Sequence, residues 1–210
     1  MTGLRARLLT LTLTGLPVLV AAPIALSPAP ASAADSAIDA FKAKHEAVVK
    51  QVKAGASDAE IQAKVDGLLD YDWLATAALG GPKNYAKVCG EHCDEFEDLL
   101  TRLIRENYLR MIRKAEKHPV EYLGQVEGRN GIYKVSTRIK VEKNGREQTV
   151  TVDYVMHQTS GGWKVRDIIT DDVSLARTYS YEFNKIAKKE GIEGIISKLQ
   201  GKLAKLEAKG

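Results

Sequence analysis

Three tight-turn signals, Asn130-Gly131, Asn144-Gly145 and Gly161-Gly162, divide residues 119–170 into four runs of alternating apolar and polar side chains. Gly and Asn accept the positive φ of two-residue hairpins at little steric cost, and period-two alternation gives a strand one dry and one wet face. The runs are PVEYLGQVE, GIYKVSTRIKVEK, REQTVTVDYVMHQ and GGWKVRDIIT. They predict an antiparallel meander of four strands. In the second, Tyr133, Val135, Thr137, Ile139 and Val141 share a face; in the third, Val150, Val152, Tyr154 and Met156 do. In the fourth, Trp163, Val165 and Ile169 share a face, and Asp167 alternates onto the same side. A sheet that is apolar on one side needs a cover there.

The rest of the chain supplies helices for that cover. DEFEDLLTRLIRENYLRMIRKAEKH carries Phe96, Leu99, Leu100, Leu103, Ile104, Tyr108, Met111 and Ile112 on one stripe at a period near 3.6, with acids leading, bases trailing and Pro119 as the stop. Ile38, Phe41, Val48 and Val52 mark an earlier helix. SDAE at residues 57–60 is a capping box ahead of Ile61 and Val65, and DYDWLATAALGG ends a further helix at Gly80-Gly81 before Pro82. Two helices broken at Gly191 close the chain. Helices, a meander and helices again predict an α+β fold, with helices packed on one face of a curved four-stranded antiparallel meander and room between them for an apolar cavity.

Residues 1–33 have a different character. Arg5 and Arg7 precede a nearly uncharged run, and Ala31-Ser32-Ala33 fits a small-x-small cleavage site. This predicts a secretory signal peptide cleaved near Ala33, leaving residues 34–210 as a single domain. Losing Arg5 and Arg7 lowers the formal net charge from +4 to +2. Nothing in that balance calls for nucleic acid.

The sequence contains no GxSxG, HExxH, Walker A or GxGxxG motif, so no catalytic residue is assigned and the chain is not expected to be an enzyme. His118 sits at a helix end and His157 on the wet face of its strand, as surface or capping groups. Asp167 reads as an acceptor for backbone amides in the following turn rather than as a general base. CGEHC is the one sharp local cluster. Export and the absence of other thiols point to a Cys89–Cys93 disulfide. The alternatives are a soft-metal site, such as copper, built from Cys89, His92 and Cys93, or a thiol-redox pair. A small enzyme on a cone-shaped α+β fold is a third possibility, with Asp167 as its poor starting point.

The C-terminal third resembles a known family. Val152, Tyr154, Gly162-Trp163-Lys164-Val165, Asp167, Val173-Ser174-Leu175, Tyr179 and Phe183 are similar in order and spacing to the periplasmic phospholipid-binding component of the Mla (maintenance of lipid asymmetry) system, also called the toluene-tolerance family of ABC-transporter auxiliary proteins. LLDYDWLATAALG and FEDLLTRLIRENYLRMI extend the likeness upstream. Asp172 stands where the family pattern has Gly, and Ser180 where it has Arg.

The resemblance implies a monomeric periplasmic carrier without cofactor or metal. Its cargo would be one phospholipid, carried between an inner-membrane complex of an ABC transporter with an MCE-domain protein and an outer-membrane lipoprotein complex. Leu99, Leu103, Tyr108, Val135, Val152, Tyr154, Trp163, Val165, Leu175 and Tyr179 are the candidate lipid-binding residues, drawn from the apolar faces of the long helix, the meander and the strand-to-helix passage.

Overall fold

The computed structural model describes residues 36–115, 117–143 and 145–208. The predicted signal peptide lies outside them. Five helices come first: α1 (Ala37–Lys53), α2 (Asp58–Asp66), α3 (Tyr71–Ala78), α4 (Pro82–Cys89) and α5 (Cys93–Ala115). Strands β1 (Val120–Glu127), β2 (Tyr133–Lys143), β3 (Arg146–Thr159), β4 (Gly162–Thr170) and β5 (Val173–Ser174) follow, and α6 (Leu175–Glu207) ends the chain. Among the described residues no helix is long and apolar enough to cross a membrane.

The helix starts obey the capping rules. Ser57 Oγ accepts from the Glu60 amide, and Glu60 returns a carboxylate oxygen to the Ser57 amide at 2.9 Å. Asp70 accepts from the Trp73 amide to open α3, and Pro82 occupies the first turn of α4. The Asp66 carboxylate receives Arg105 Nε at 2.9 Å, Arg105 Nη2 at 3.0 Å and the Tyr71 hydroxyl at 2.9 Å, tying α2, α3 and α5 together.

The strands pair in the order β1-β2-β3-β4-β5, antiparallel throughout. The sheet therefore has five strands rather than the four expected. The fifth arises because Asp171 and Asp172 both take left-handed conformations, at φ 47° and 65°, which turns the chain back so that Thr170 faces Val173 and Ile169 faces Ser174. Two adjacent positive-φ residues make a tight hairpin turn, a role that Gly, Asn and Asp fill most readily.

A second difference lies in β4. Val155 pairs with Asp167 and Met156 with Val165, so Arg166 is an extra residue, a β-bulge. The bulge reverses the alternation beyond it. Trp163 and Val165 share the inner face as expected, but Ile168 and Thr170, opposite Tyr154 and Val152, take the inner positions that Ile169 was expected to share. Asp167 and Ile169 turn outward.

The inner face packs on α1 and α5 through one core that includes Phe41, Val48, Phe96, Leu100, Val135, Met156, Val165 and Phe183, all fully buried. The outer face carries the ion pairs Lys134–Asp153 at 2.8 Å, Lys140–Glu147 at 3.0 Å and Arg138–Glu121 at 3.7 Å, as a wet face should. Gly191, at φ 67° and ψ −160°, breaks α6 into two helical halves.

Candidate functional site

Two apolar clefts open between the inner face of the sheet and the helices. Tight turns between β1, β2 and β3 place Ile139, Val150, Val152 and Tyr154 side by side, while the 3.6-residue period of α5 brings Met111 and Ile112 over them. α1 adds His45 and Val49. These residues, with Thr170 of β4, line a cleft of about 220 Å³. The second cleft, about 310 Å³, runs between α5 and the start of α6 and is lined by Ile104, Tyr108 and Met111 against Ile168, Leu175 and Tyr179. Met111 and Thr170 belong to both walls, so the clefts adjoin, with an unbranched thioether side chain between them.

Neither lining includes an acid. Lys114 and His118 stand among the residues of the first cleft, Asn107 and Thr178 among those of the second. The buried polar groups here are shifted toward neutrality. His45 stacks on Phe41 at 5.2 Å between centroids, and its Nδ1 lies 2.9 Å from the Tyr122 hydroxyl. Burial holds its pKa down at about 4, so the ring is neutral at pH 7. Burial also raises the phenols: Tyr179 up to about 12, Tyr154 and Tyr108 well above the ordinary range. The Tyr108 hydroxyl is buried with no hydrogen-bond partner among the described residues.

The ten sequence-predicted residues divide evenly. Val152 and Tyr154 line the first cleft; Tyr108, Leu175 and Tyr179 line the second. Val135 and Val165 are fully buried beneath the helices, Leu99 and Leu103 pack in the core one to three turns earlier on α5, and Trp163 meets the Tyr133 ring edge-on at 5.4 Å. Those five line neither cleft. Met111 lies on the sequence-predicted stripe of α5 and His45, at helical spacing from Phe41 and Val48, on that of α1, whereas Val49 and Thr170 carry no signal because their alignment depends on contacts between distant elements.

Asp167 is a structural acceptor. Oδ1 receives the amides of Ile168 at 2.9 Å and Ala176 at 3.0 Å, and Oδ2 receives the Ser174 hydroxyl at 2.6 Å. One carboxylate thus fixes both the β4–β5 turn and the first turn of α6. His157 is also anchored: its Nε2 lies 2.6 Å from Asp70 Oδ2, joining β3 to the cap of α3. Cys89 and Cys93 form a disulfide with Cα atoms 4.8 Å apart, across a 3₁₀ turn that Gly90 opens at φ 54°. His92 instead faces Glu91 and Glu95.

The family model of the MlaC protein matches residues 32–201. The chain belongs to the MlaC family. A phospholipid-binding protein from Ralstonia solanacearum, solved in complex with a phospholipid, has a similar fold at a TM-score of 0.64. It is 22% identical, and the alignment covers 80% of this chain and 97% of that one. No curated protein matches the chain.

Proposed function

We propose that this protein is a periplasmic phospholipid carrier, reached by export and signal-peptide cleavage, that receives and releases its cargo at inner-membrane and outer-membrane complexes. The observation that carries the reading is the pair of adjoining apolar clefts, free of acids, that share Met111 and Thr170. The family and the fold shared with a phospholipid-bound protein support it, and both favour binding over catalysis.

Each methylene kept from water is worth about 0.8 kcal/mol, so two ordinary acyl tails represent on the order of 20 kcal/mol. A carrier has to match that with apolar walls. The two clefts offer such walls on either side of Met111, one for each tail, and the flexible side chain can yield as they fill. The head group stays at the rim beside Lys114 and His118, where a phosphate meets a cation without being buried. With both thiols in the Cys89–Cys93 bridge, CGEHC retains no thiolate for a soft metal or for thiol exchange unless it is reduced.

Organic extraction of the purified protein followed by mass spectrometry tests the reading. The expected result is a diacyl lipid at no more than one per chain. Protein that yields no lipid, and that cannot take lipid from membranes, is not a carrier.

A further inference from the structure

The first half of α6 is two-sided. Its inner side buries Tyr179 and Phe183 in the core. Its outer side presents Arg177, Tyr181, Asn184, Lys185 and Lys188 at helical spacing, with Lys189 and Ser180 beside them along one groove. No acid lines that groove. Arg177, Lys185, Lys188 and Lys189 are exposed, and among the described residues none of their side chains has an ion-pair partner. Exposed bases without an ion pair occur on other helices too, among them Lys50, Lys53, Lys64, Lys83 and Lys87, but they are spread over three helices; on α6 itself Glu182, on the neighbouring face, takes both Lys198 and Lys202. Four unmatched cations on one face therefore stand out in a chain with a formal net charge of only +4.

Tyr181 lies amid the cations and is 77% exposed, the most exposed large apolar side chain described. Just ahead of the helix, Val173 is 62% exposed at the edge of the second cleft. Lysine is depleted in the cores of protein interfaces, which favour Arg and clustered aromatics. A Lys-rich helix face with one amphipathic ring is instead the composition of a surface that rests on anionic head groups, with the ring at the interface and the ammonium groups among the phosphates.

We propose that this face of α6 docks the protein on an anionic lipid bilayer. The lipid surface supplies the negative charge that this groove lacks. The contact is peripheral and reversible, since it rests on a few cations and one ring rather than on an inserted segment. The helix that lies on the bilayer is the same one that gives Leu175, Thr178 and Tyr179 to the second cleft, so docking brings that wall to the membrane surface. The inference stands apart from what the clefts carry, because vesicle binding is measured whether or not lipid is extracted.

Vesicle flotation tests it, using phosphatidylcholine vesicles with and without phosphatidylglycerol. The parent is compared with Lys185→Ala/Lys188→Ala/Lys189→Ala and with Tyr181→Ala. All carry the same N-terminus, so differences report on the helix face, and circular dichroism verifies that each is folded. The triple variant is expected to lose about fivefold in partitioning onto anionic vesicles per cation removed, on the order of a hundredfold in all. Tyr181→Ala weakens binding several-fold with its salt dependence unchanged, and high salt releases the parent. If folded parent and triple variant partition alike onto anionic vesicles, or if the parent ignores anionic vesicles and the face captures only an acidic protein, the proposal is overturned.

Discussion

Glu182 and Lys202 lie twenty residues apart in sequence, yet the carboxylate and the ammonium meet at 2.7 Å. On a straight helix they would stand about 30 Å apart. The two halves of α6 therefore fold back on each other at Gly191, and Lys202 also sits over the Tyr179 ring, 5.7 Å from its centroid. The C-terminal half thus braces a residue of the second cleft from behind.

The fold-back leaves no room at its inner corner. A Cβ at Gly194 would lie 2.4 Å from Glu190 Cβ, whereas one at Gly201 meets nothing within 4 Å. Gly194→Ala is expected to cost about 1–3 kcal/mol through overpacking. Gly201→Ala should stabilise by about 0.5–1 kcal/mol by improving helix propensity. Urea unfolding of the two variants checks both signs, and equal effects would mean the corner is not where it is described.

Asp172 holds φ at 65° in the β4–β5 turn, a conformation that Gly adopts without strain. Asp172→Gly should raise stability by about 0.5–1 kcal/mol, read as a higher melting temperature, because the left-handed strain it relieves outweighs the entropy it adds to the unfolded chain. A loss of stability would show that the Asp side chain contributes more than its backbone costs.

His45 makes the protein sensitive to acid. Its folded pKa, about 4, lies below the ordinary 6.5, so the unfolded chain binds the extra proton. Its contribution to stability is complete above pH 6.5 and is lost as the pH falls toward 4, on the order of 3 kcal/mol in all. His45→Phe should flatten that part of the stability profile. An unchanged slope between pH 6.5 and 4 in the variant would assign the loss to other groups.

The disulfide and the first cleft should separate cleanly. Cys89→Ser with Cys93→Ser is expected to lower stability by about 2 kcal/mol and to leave lipid binding intact. Val152→Trp fills the first cleft. It should abolish lipid uptake while overpacking costs about 1–3 kcal/mol, so the fold survives. Lipid recovery from each variant, alongside its unfolding curve, distinguishes them; lipid loss in the Cys variant would move the binding site toward α4.

The meander and its turns were legible because Asn-Gly and Gly-Gly punctuate strict alternation, and α5 because its apolar stripe runs unbroken from Phe96 to Ile112. The acidic turn at Asp171-Asp172 was legible too, but the β5 pairing was not, since Val173-Ser174 is too short to show any alternation. The bulge at Arg166 was invisible for a different reason: one inserted residue exchanges the faces of everything after it, while the pattern Trp-Lys-Val-Arg-Asp-Ile-Ile-Thr reads smoothly either way. The same limit split the site residues. Apolar character marked Val152 and Leu99 equally, and only the packing of α1 and α5 decides that the first faces a cleft and the second faces core. His45 was legible in place but not in role: four residues after Phe41 and three before Val48 it falls on the apolar stripe of α1, yet a lone ring there does not announce a cleft.

Leu69 bridges Val165, with the Asp70 amide donating to the Val165 carbonyl at 2.8 Å and the Val165 amide to the Leu68 carbonyl at 2.9 Å. That segment covers one end of the outer margin of β4, and β5 covers the other. Beyond the end of β4 the 146–150 stretch of β3 stays open, guarded by Arg146 and Glu147, and the other open margin among the described residues is β1. There the register slips between Tyr122 and Gly124, and Glu121 and Glu127 mark the two ends with negative charge. Edges broken in this way resist edge-to-edge polymerisation. Leu123 and Val126, exposed on β1, thus sit in a strand whose pairing is interrupted and whose ends are charged, which makes it a poor seed for fibres.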